Sequence, residues 1–255
     1  MKASVLASGS KGNSTYVETN HHKYLIDLGT SCLYVENKLK ELNVMPSEID
    51  GIFITHTHVD HISGLRVFLK KYHPTVYLSQ KMADELSSQL ILRDYYILEP
   101  EQEIDSTFKV NVFKTSHDTD DSNGYLLEED GKAIVYITDT GYLNIKNHKL
   151  LHNREVYIIE SNHDVQLLMD GHYPYHIKQR ILGDKGHLSN KDCSYYLSQL
   201  IGDKTEKIIL IHLSEDNNRP EIAYETLKNA LNETKYMPKQ IYISTQKEKT
   251  DMVEV

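Results

Sequence analysis

Four metal-competent side chains stand within six positions of one another: His56, His58, Asp60 and His61, in the run Ile52-Phe53-Ile54-Thr55-His56-Thr57-His58-Val59-Asp60-His61-Ile62-Ser63-Gly64. The apolar residues Ile52 to Ile54 predict a buried strand. Ser63 and Gly64 open a different pattern, a helix running through Tyr72. The four side chains are therefore expected on the loop where a strand gives way to a helix, where layered α/β folds mount their chemistry. Alternate residues of an extended segment point the same way, so His56 and His58 can grip one ion together. Asp60 and His61 follow where the chain turns and can reach a second ion. Imidazole suits zinc, iron, manganese or nickel, and carboxylate adds affinity for harder ions. Two ions about 3.5–4 Å apart can clamp both the attacking and the leaving oxygen of a displacement. A His-rich surface turn explains this combination poorly, because it directly follows a hydrophobic strand.

The elements that must position such a centre are legible as alternating strands and helices. Residues 2–7 read as a strand, and Ser8-Gly9-Ser10-Lys11-Gly12-Asn13-Ser14 as a Gly/Ser/Asn loop. That loop suits a plain hairpin connection or a nest of backbone N–H groups for a phosphate equally well. Tyr24 to Gly29 form a strand carrying Asp27 at its end, either a solvated carboxylate or one that orients a metal-bound histidine. Residues 31–42 have helical periodicity, with Leu33, Leu39 and Leu42 expected on one side. A strand at 75–78, a helix at 80–92 and a strand at 108–115 follow. The last delivers Ser116-His117-Asp118. Strands at 125–128 and 133–137 lead to Thr138-Asp139-Thr140-Gly141, and one at 156–159 to Glu160-Ser161-Asn162-His163. Helical segments near 164–170 and 174–182, and a helix opened by His187-Leu188-Ser189-Asn190, precede a strand at 207–211 that ends in His212. A helix at 220–232 and a strand at 240–244 close the chain. Asp27, the 56–61 cluster, His117, Asp139 and His212 all fall at strand C-terminal ends, so one edge of the sheets gathers them. His117 alone suits a surface position and His212 alone a core one. Beside the cluster, both become candidate ligands.

Composition bounds the remainder. The 255 residues, 39% hydrophobic and 25% charged, are ordinary for a globular protein. With no repeat, low-complexity tract or Pro/Gly linker, residues 1–255 are expected to form one α/β domain, two packed sheets with helices outside. No apolar run approaches the roughly 18 residues of a membrane span, and the apolar stretch at the N-terminus is too short for a secretory signal. Cys32 and Cys193 are isolated, without a disulfide framework. A cytoplasmic protein with no membrane contact is expected. The net charge of −9 opposes broad electrostatic binding of nucleic acid without excluding it, since two divalent ions add about four positive charges at the site.

His-x-His-x-Asp-His resembles the signature of the metallo-β-lactamase fold superfamily. The resemblance implies an αββα sandwich of two mixed sheets, with His56, His58 and His117 on a first ion. Asp60, His61 and His212 match the ligands of a second, and Asp139 the carboxylate between them. It implies hydrolysis by a hydroxide activated between two divalent metals, zinc or manganese with iron or nickel as alternatives, Asp60 orienting the water or taking its proton. Glu160 and His187 resemble the paired motifs of the tRNase Z-like nucleases, in which a Glu–His dyad stands near the leaving oxygen. Ser189 and Asn190 suit a helix cap and also a phosphate at a helix N-terminus.

The whole set, from Ser4-Val5-Leu6-Ala7-Ser8-Gly9-Ser10-Lys11-Gly12-Asn13-Ser14 to Gly186-His187-Leu188-Ser189-Asn190, is most similar to the YycJ (VicX, WalJ) family. That similarity implies a 5′-to-3′ exonuclease acting on DNA rather than RNA, linked to bacterial cell-wall two-component signalling. Oligomeric state is not implied. Ser8, Ser10, Lys11, Asn13, Ser189 and Asn190, with Arg180 and Lys185, are the candidate phosphate contacts. An RNA-processing nuclease, a thioester hydrolase of glyoxalase II type and a non-catalytic regulatory binding protein are the alternatives. Too little chain separates Asp139 from His212 for a β-CASP insert, and too little follows residue 220 for a glyoxalase II helical domain. A missing tRNA arm opposes tRNase Z itself, and a missing signal peptide a secreted β-lactamase. A pure scaffold gains little from seven costly polar groups at one edge.

Overall fold

The computed structural model describes residues 1–255. In chain order the first half comprises β1 (Lys2–Ala7), β2 (Ser14–Glu18), β3 (Lys23–Ile26), α1 (Cys32–Glu41), β4 (Gly51–Phe53), α2 (Val59–Ile62), α3 (Leu65–Tyr72), β5 (Thr75–Leu78), α4 (Gln80–Ser87) and β6 (Tyr95–Ile97). The second half comprises β7 (Glu101–Glu103), β8 (Phe108–Lys114), β9 (Asn123–Glu129), β10 (Lys132–Ile137), α5 (Ile145–Leu151), β11 (Val156–Glu160), α6 (Val165–Asp170), α7 (Tyr175–Leu182), α8 (Asn190–Leu200), β12 (Lys207–Ile211), α9 (Pro220–Asn232), β13 (Gln240–Ile243) and β14 (Val253–Glu254). Two seven-stranded mixed sheets result, ordered β14-β1-β2-β3-β4-β5-β6 and β13-β12-β11-β10-β9-β8-β7.

Period-two alternation builds the sandwich. Ile134, Tyr136, Val156, Ile158, Ile209 and Ile211 face the opposite sheet and meet Val5, Tyr24, Ile26 and Phe53 there. Their neighbours Val135, Ile137, Tyr157, Ile159, Ile208 and Leu210 face outward and are covered by Leu197, Leu200, Leu227 and Leu231 of α8 and α9. Strands β10, β11 and β12 run parallel and are buried on both faces, which explains their unbroken apolar runs. On the first sheet, Leu25, Ile52 and Val76 are covered by Val35, Phe68 and Met82 from α1, α3 and α4. This is the expected αββα arrangement.

Several local expectations are corrected. The buried stripe of α1 is Cys32, Val35, Glu36 and Leu39, while Leu33 is 63% exposed. At 100° per residue Leu33 lies about 120° around the helix from Leu39. The helix after the first cluster begins earlier than expected: Asp60 and His61 lie in α2, with His58 as its N-cap, so only His56 and His58 are on the loop itself. Helix α4 ends at Ser87 rather than near residue 92, and Asn123 and Gly124 are inside β9 rather than before it. The short edge strands β6 and β7 are mostly exposed, and β7 carries no apolar residue, while β14 pairs with β1 across the whole chain length. No helix is long and apolar enough to cross a membrane.

Candidate metal centre

The candidate ligands stand where strands β3, β4, β8, β10 and β12 end. Three site residues leave their strands through left-handed backbone: Asp27 (φ 60°), Asp139 (φ 46°) and His212 (φ 58°). That conformation costs a non-glycine residue about 1–2 kcal/mol. It turns each side chain sharply off the strand end, and packing on every side maintains it.

Helix α2 is pinned against the first sheet by backbone contacts. Leu28 N–H donates to the His61 carbonyl at 2.8 Å and Asn13 N–H to the Asp60 carbonyl at 2.8 Å. The chain passes so close here that a Cβ on Gly29 would lie 1.5 Å from the Asp60 carbonyl oxygen. Ser8 Oγ accepts the backbone N–H of His212 at 2.6 Å, tying the end of β12 to the end of β1.

The resulting constellation falls into overlapping groups whose ligand atoms lie within 4.8 Å of one another: His56, His58 and His117; Asp60, His61 and His212; and His56, His61 and Asp139. Asp139 is the common neighbour, as it also stands with Glu160, His187 and His212.

Four observations fit a cationic centre. Nε2 of His56 and Nε2 of His212 are buried and have no hydrogen-bond partner, a state that buried polar atoms ordinarily avoid. Asp27 accepts from Thr55 N–H at 2.8 Å and Thr55 Oγ1 at 2.7 Å, and so acts as acceptor to the Nδ1–H of His61 at 2.7 Å. His61 Nε2 is then a lone pair that receives Asn13 Nδ2 at 3.0 Å and faces Asp139 Oδ2 at 2.8 Å. Two acceptors in such contact need a shared cation. The bare pair draws a proton instead: burial opposes the charge, but Asp139 and Asp27 carry His61 up to about 10. Burial likewise holds His56 well below the usual histidine range, the neutral form that a metal requires.

Beside the centre, His187 Nδ1 lies 2.6 Å from Glu160 Oε1 and 3.2 Å from Asp139 Oδ1. Glu160 Oε2 accepts from Thr140 N–H at 3.0 Å and Leu188 N–H at 3.2 Å, and Glu160 Oε1 also meets His212 Nδ1 at 3.0 Å. Burial works against a proton on His187, yet the Glu160 carboxylate outweighs it and raises the ring to about 9. His117 Nδ1 contacts the Gly186 carbonyl at 3.2 Å, coupling the loop before His187 to the first group.

The phosphate candidates separate into inward and outward residues. Ser8, Asn13, Ser189 and Asn190 are buried and spend their side chains on partners inside the protein. Asn13 Oδ1 accepts from Gly9 N–H at 2.8 Å and its amide serves His61. Ser189 caps α8. Asn190 exchanges hydrogen bonds with Asn218 at 2.9 Å and accepts Ser161 Oγ at 2.7 Å. Ser10 and Lys11 are exposed, and Lys11 pairs with Glu215. Arg180 is bound to Asp118 at 2.5 Å, and Lys185 is exposed. Residues not singled out from the sequence complete the frame: Thr55 holds Asp27, Asn162 Nδ2 donates to the His212 carbonyl at 3.0 Å, and Asn218 Nδ2 to the Ser161 carbonyl at 2.9 Å. Thr55 and Asn162 lie inside the motifs, whereas Asn218 carries no local signal.

Two helix-covered sheets face to face, with a histidine- and aspartate-lined centre at one edge, define the metallo-β-lactamase class of fold. The β-lactamase superfamily domain model matches residues 22–213. The chain is 39% identical over 236 residues to exodeoxyribonuclease WalJ of Streptococcus pneumoniae serotype 2 (strain D39), covering 90% of this chain and 88% of that protein. It is 37% identical over 235 residues to exodeoxyribonuclease YycJ of Bacillus anthracis, covering 90% and 89%. The metallo-β-lactamase fold protein YhfI from Bacillus subtilis shares the fold at a TM-score of 0.71 over 98% of this chain and 99% of that one, with 15% identity. The chain belongs to the WalJ/YycJ family within the β-lactamase superfamily.

Proposed function

We propose that this protein is a metal-dependent exodeoxyribonuclease that holds two divalent ions, zinc or manganese, and removes nucleotides from DNA in the 5′-to-3′ direction. The observation that carries the metal is the pair of buried, partnerless Nε2 atoms on His56 and His212, set around the His61–Asp139 contact. His56, His58 and His117 suit one ion, and Asp60, His61 and His212 the other, with Asp139 between. The names of the 39% and 37% identical relatives support DNA as substrate. Residues 1–255 act as one domain, and the cytoplasm is the proposed location.

Bound among these side chains, a pair of divalent cations would supply Lewis acidity and lower the pKa of water toward neutral. Asp60, whose side chain is 28% exposed, orients the attacking water and accepts its proton. His187 presents a ring 20% exposed and carries a proton that Glu160 stabilises, so it donates to the departing oxygen. Glu160, fully buried, acts through His187 by setting its orientation and its basicity. Asp27 acts through His61 in the same manner.

The test is digestion of a duplex DNA labelled at either 5′ end, with manganese or zinc, beside Asp60→Ala. Release of the label as a mononucleotide, with no ladder of shortened labelled strands and none of it in the variant, is expected. Metal-loaded protein that leaves DNA ends intact refutes the assignment.

A further inference from the structure

One face of α3 from Arg66 to Lys70, the C-terminal end of α4 and residues 88–94 line an open cavity of about 590 Å³. It lies away from the metal centre. Strands β4, β5 and β6 run parallel, and the cavity is lined by Pro74 and Asp94, which precede β5 and β6. The histidine cluster follows the opposite end of β4.

Arg66, Lys70 and Arg93 line this cavity. None of the three belongs to any ion pair or side-chain hydrogen bond of the protein, although acidic residues outnumber basic ones 37 to 28. The adjacent cation in the sequence does find a partner: Lys71 meets Glu36 at 2.8 Å. Helix electrostatics explains Lys70, which stands in the last turn of α3, where a cation is favoured. It does not explain Arg66, in the first turn of the same helix, where a cation is disfavoured. Nor does it explain Arg93, which lies outside any helix. Leu69, Leu90 and Ile91 supply an apolar surface in the same cavity, and Ile91 is 80% exposed.

Guanidinium groups match phosphate oxygens two at a time. An apolar surface covers the face of a flat ring. Asp94 offers an acceptor to a hydroxyl or amino group. A nucleotide carries all three features, and the volume lies within the range of small-molecule pockets. We propose that this cavity is a nucleotide-binding site separate from the metal centre, with the phosphate held by Arg66, Lys70 and Arg93. The nucleotide is free or is the terminal residue of a strand. The inference stands independently of the hydrolytic reaction at the metal centre.

The experiment is calorimetric titration of the metal-loaded protein with deoxyadenosine monophosphate and, separately, with a 5′-phosphorylated phosphorothioate tetranucleotide. Each titration is repeated on Arg66→Glu/Arg93→Glu. The intact protein is expected to show one more binding event per chain than the variant, or at least tenfold tighter binding at that event. Hydrolysis of bis(p-nitrophenyl) phosphate is expected to be equal in the two proteins. A difference with both ligands assigns a site open to free nucleotide, and a difference with the tetranucleotide alone assigns a strand end. Equal stoichiometry and affinity in both proteins for both ligands overturns the proposal. If circular dichroism shows the double variant misfolded, Lys70→Glu takes its place with the same expectations.

Discussion

Asp27→Asn isolates the part of the centre that orients His61. The substitution keeps the shape of the side chain, and asparagine tolerates the left-handed backbone that Asp27 adopts at φ 60°. One amide oxygen still accepts the Thr55 N–H, now at 2.8 Å from Asp27 Oδ1. The other position becomes an NH₂ group facing His61 Nδ1, at 2.7 Å from Asp27 Oδ2 in the native protein. Two donors cannot share that contact. His61 must either move its proton to Nε2, the atom aimed at Asp139, or rotate away. Either change removes the lone pair from the metal position. Loss of such a supporting carboxylate ordinarily weakens metal affinity about 10–100-fold, or about 1.4–2.7 kcal/mol. The assay is metal content per chain after dialysis against a graded series of competing chelator, with circular dichroism as the folding control. The expected result is a folded variant that releases one of two ions at chelator concentrations about 10–100-fold lower. Asp27→Ala additionally leaves three buried donors without an acceptor, at about 1–3 kcal/mol each, and is expected to unfold. A folded Asp27→Asn protein that retains both ions with unchanged affinity refutes the orienting role.

His187→Ala is expected to keep its metal while turnover falls by about 10²–10⁴-fold; metal loss measured by elemental analysis would contradict its assignment as proton donor. Glu36 supplies a pH prediction remote from the centre. Lys71, with Cys32 and Tyr72, holds its carboxyl down to about 2. A depressed carboxylate contributes stability above its unfolded pKa of about 4.3 that is lost as the pH falls through about 2. Glu36→Gln should therefore lower Tm at pH 7, by about 2–8 °C for a loss of roughly 1–2 kcal/mol, and the gap should close between about pH 4 and pH 2. A gap constant across that range excludes the ionised Glu36 as its source. Gly29→Ala should abolish metal binding or folding, because its Cβ would overlap the Asp60 carbonyl; full metal content and a native Tm would show that α2 is free to move.

Much of the centre was legible because it is written locally. His56, His58, Asp60 and His61 share six positions, and His117, Asp139 and His212 each follow an apolar run that period-two alternation marks as a strand. Asn13 and Ser8 were legible as loop residues but not in their roles. Asn13 reaches Asp60 and His61 across 47 and 48 positions, and Ser8 meets His212 across 204. Asn190 likewise sat in a recognisable helix start, yet its side chain is consumed by Ser161 and Asn218, 29 and 28 positions away. The edge strands β6 and β7 are only three residues each, too short for period-two alternation to mark them.

By itself the sequence determined which metal-competent side chains exist, their order and their delivery to strand ends, since side-chain chemistry and backbone periodicity are local properties. Only the tertiary structure decided which polar groups are left over. Asn13, Ser8, Ser189 and Asn190 are satisfied by partners distant in the chain or by a helix end. Nε2 of His56, Nε2 of His212 and the charged ends of Arg66, Lys70 and Arg93 are not. Hydrogen-bond and charge balance is settled only when packing brings the remote partners together.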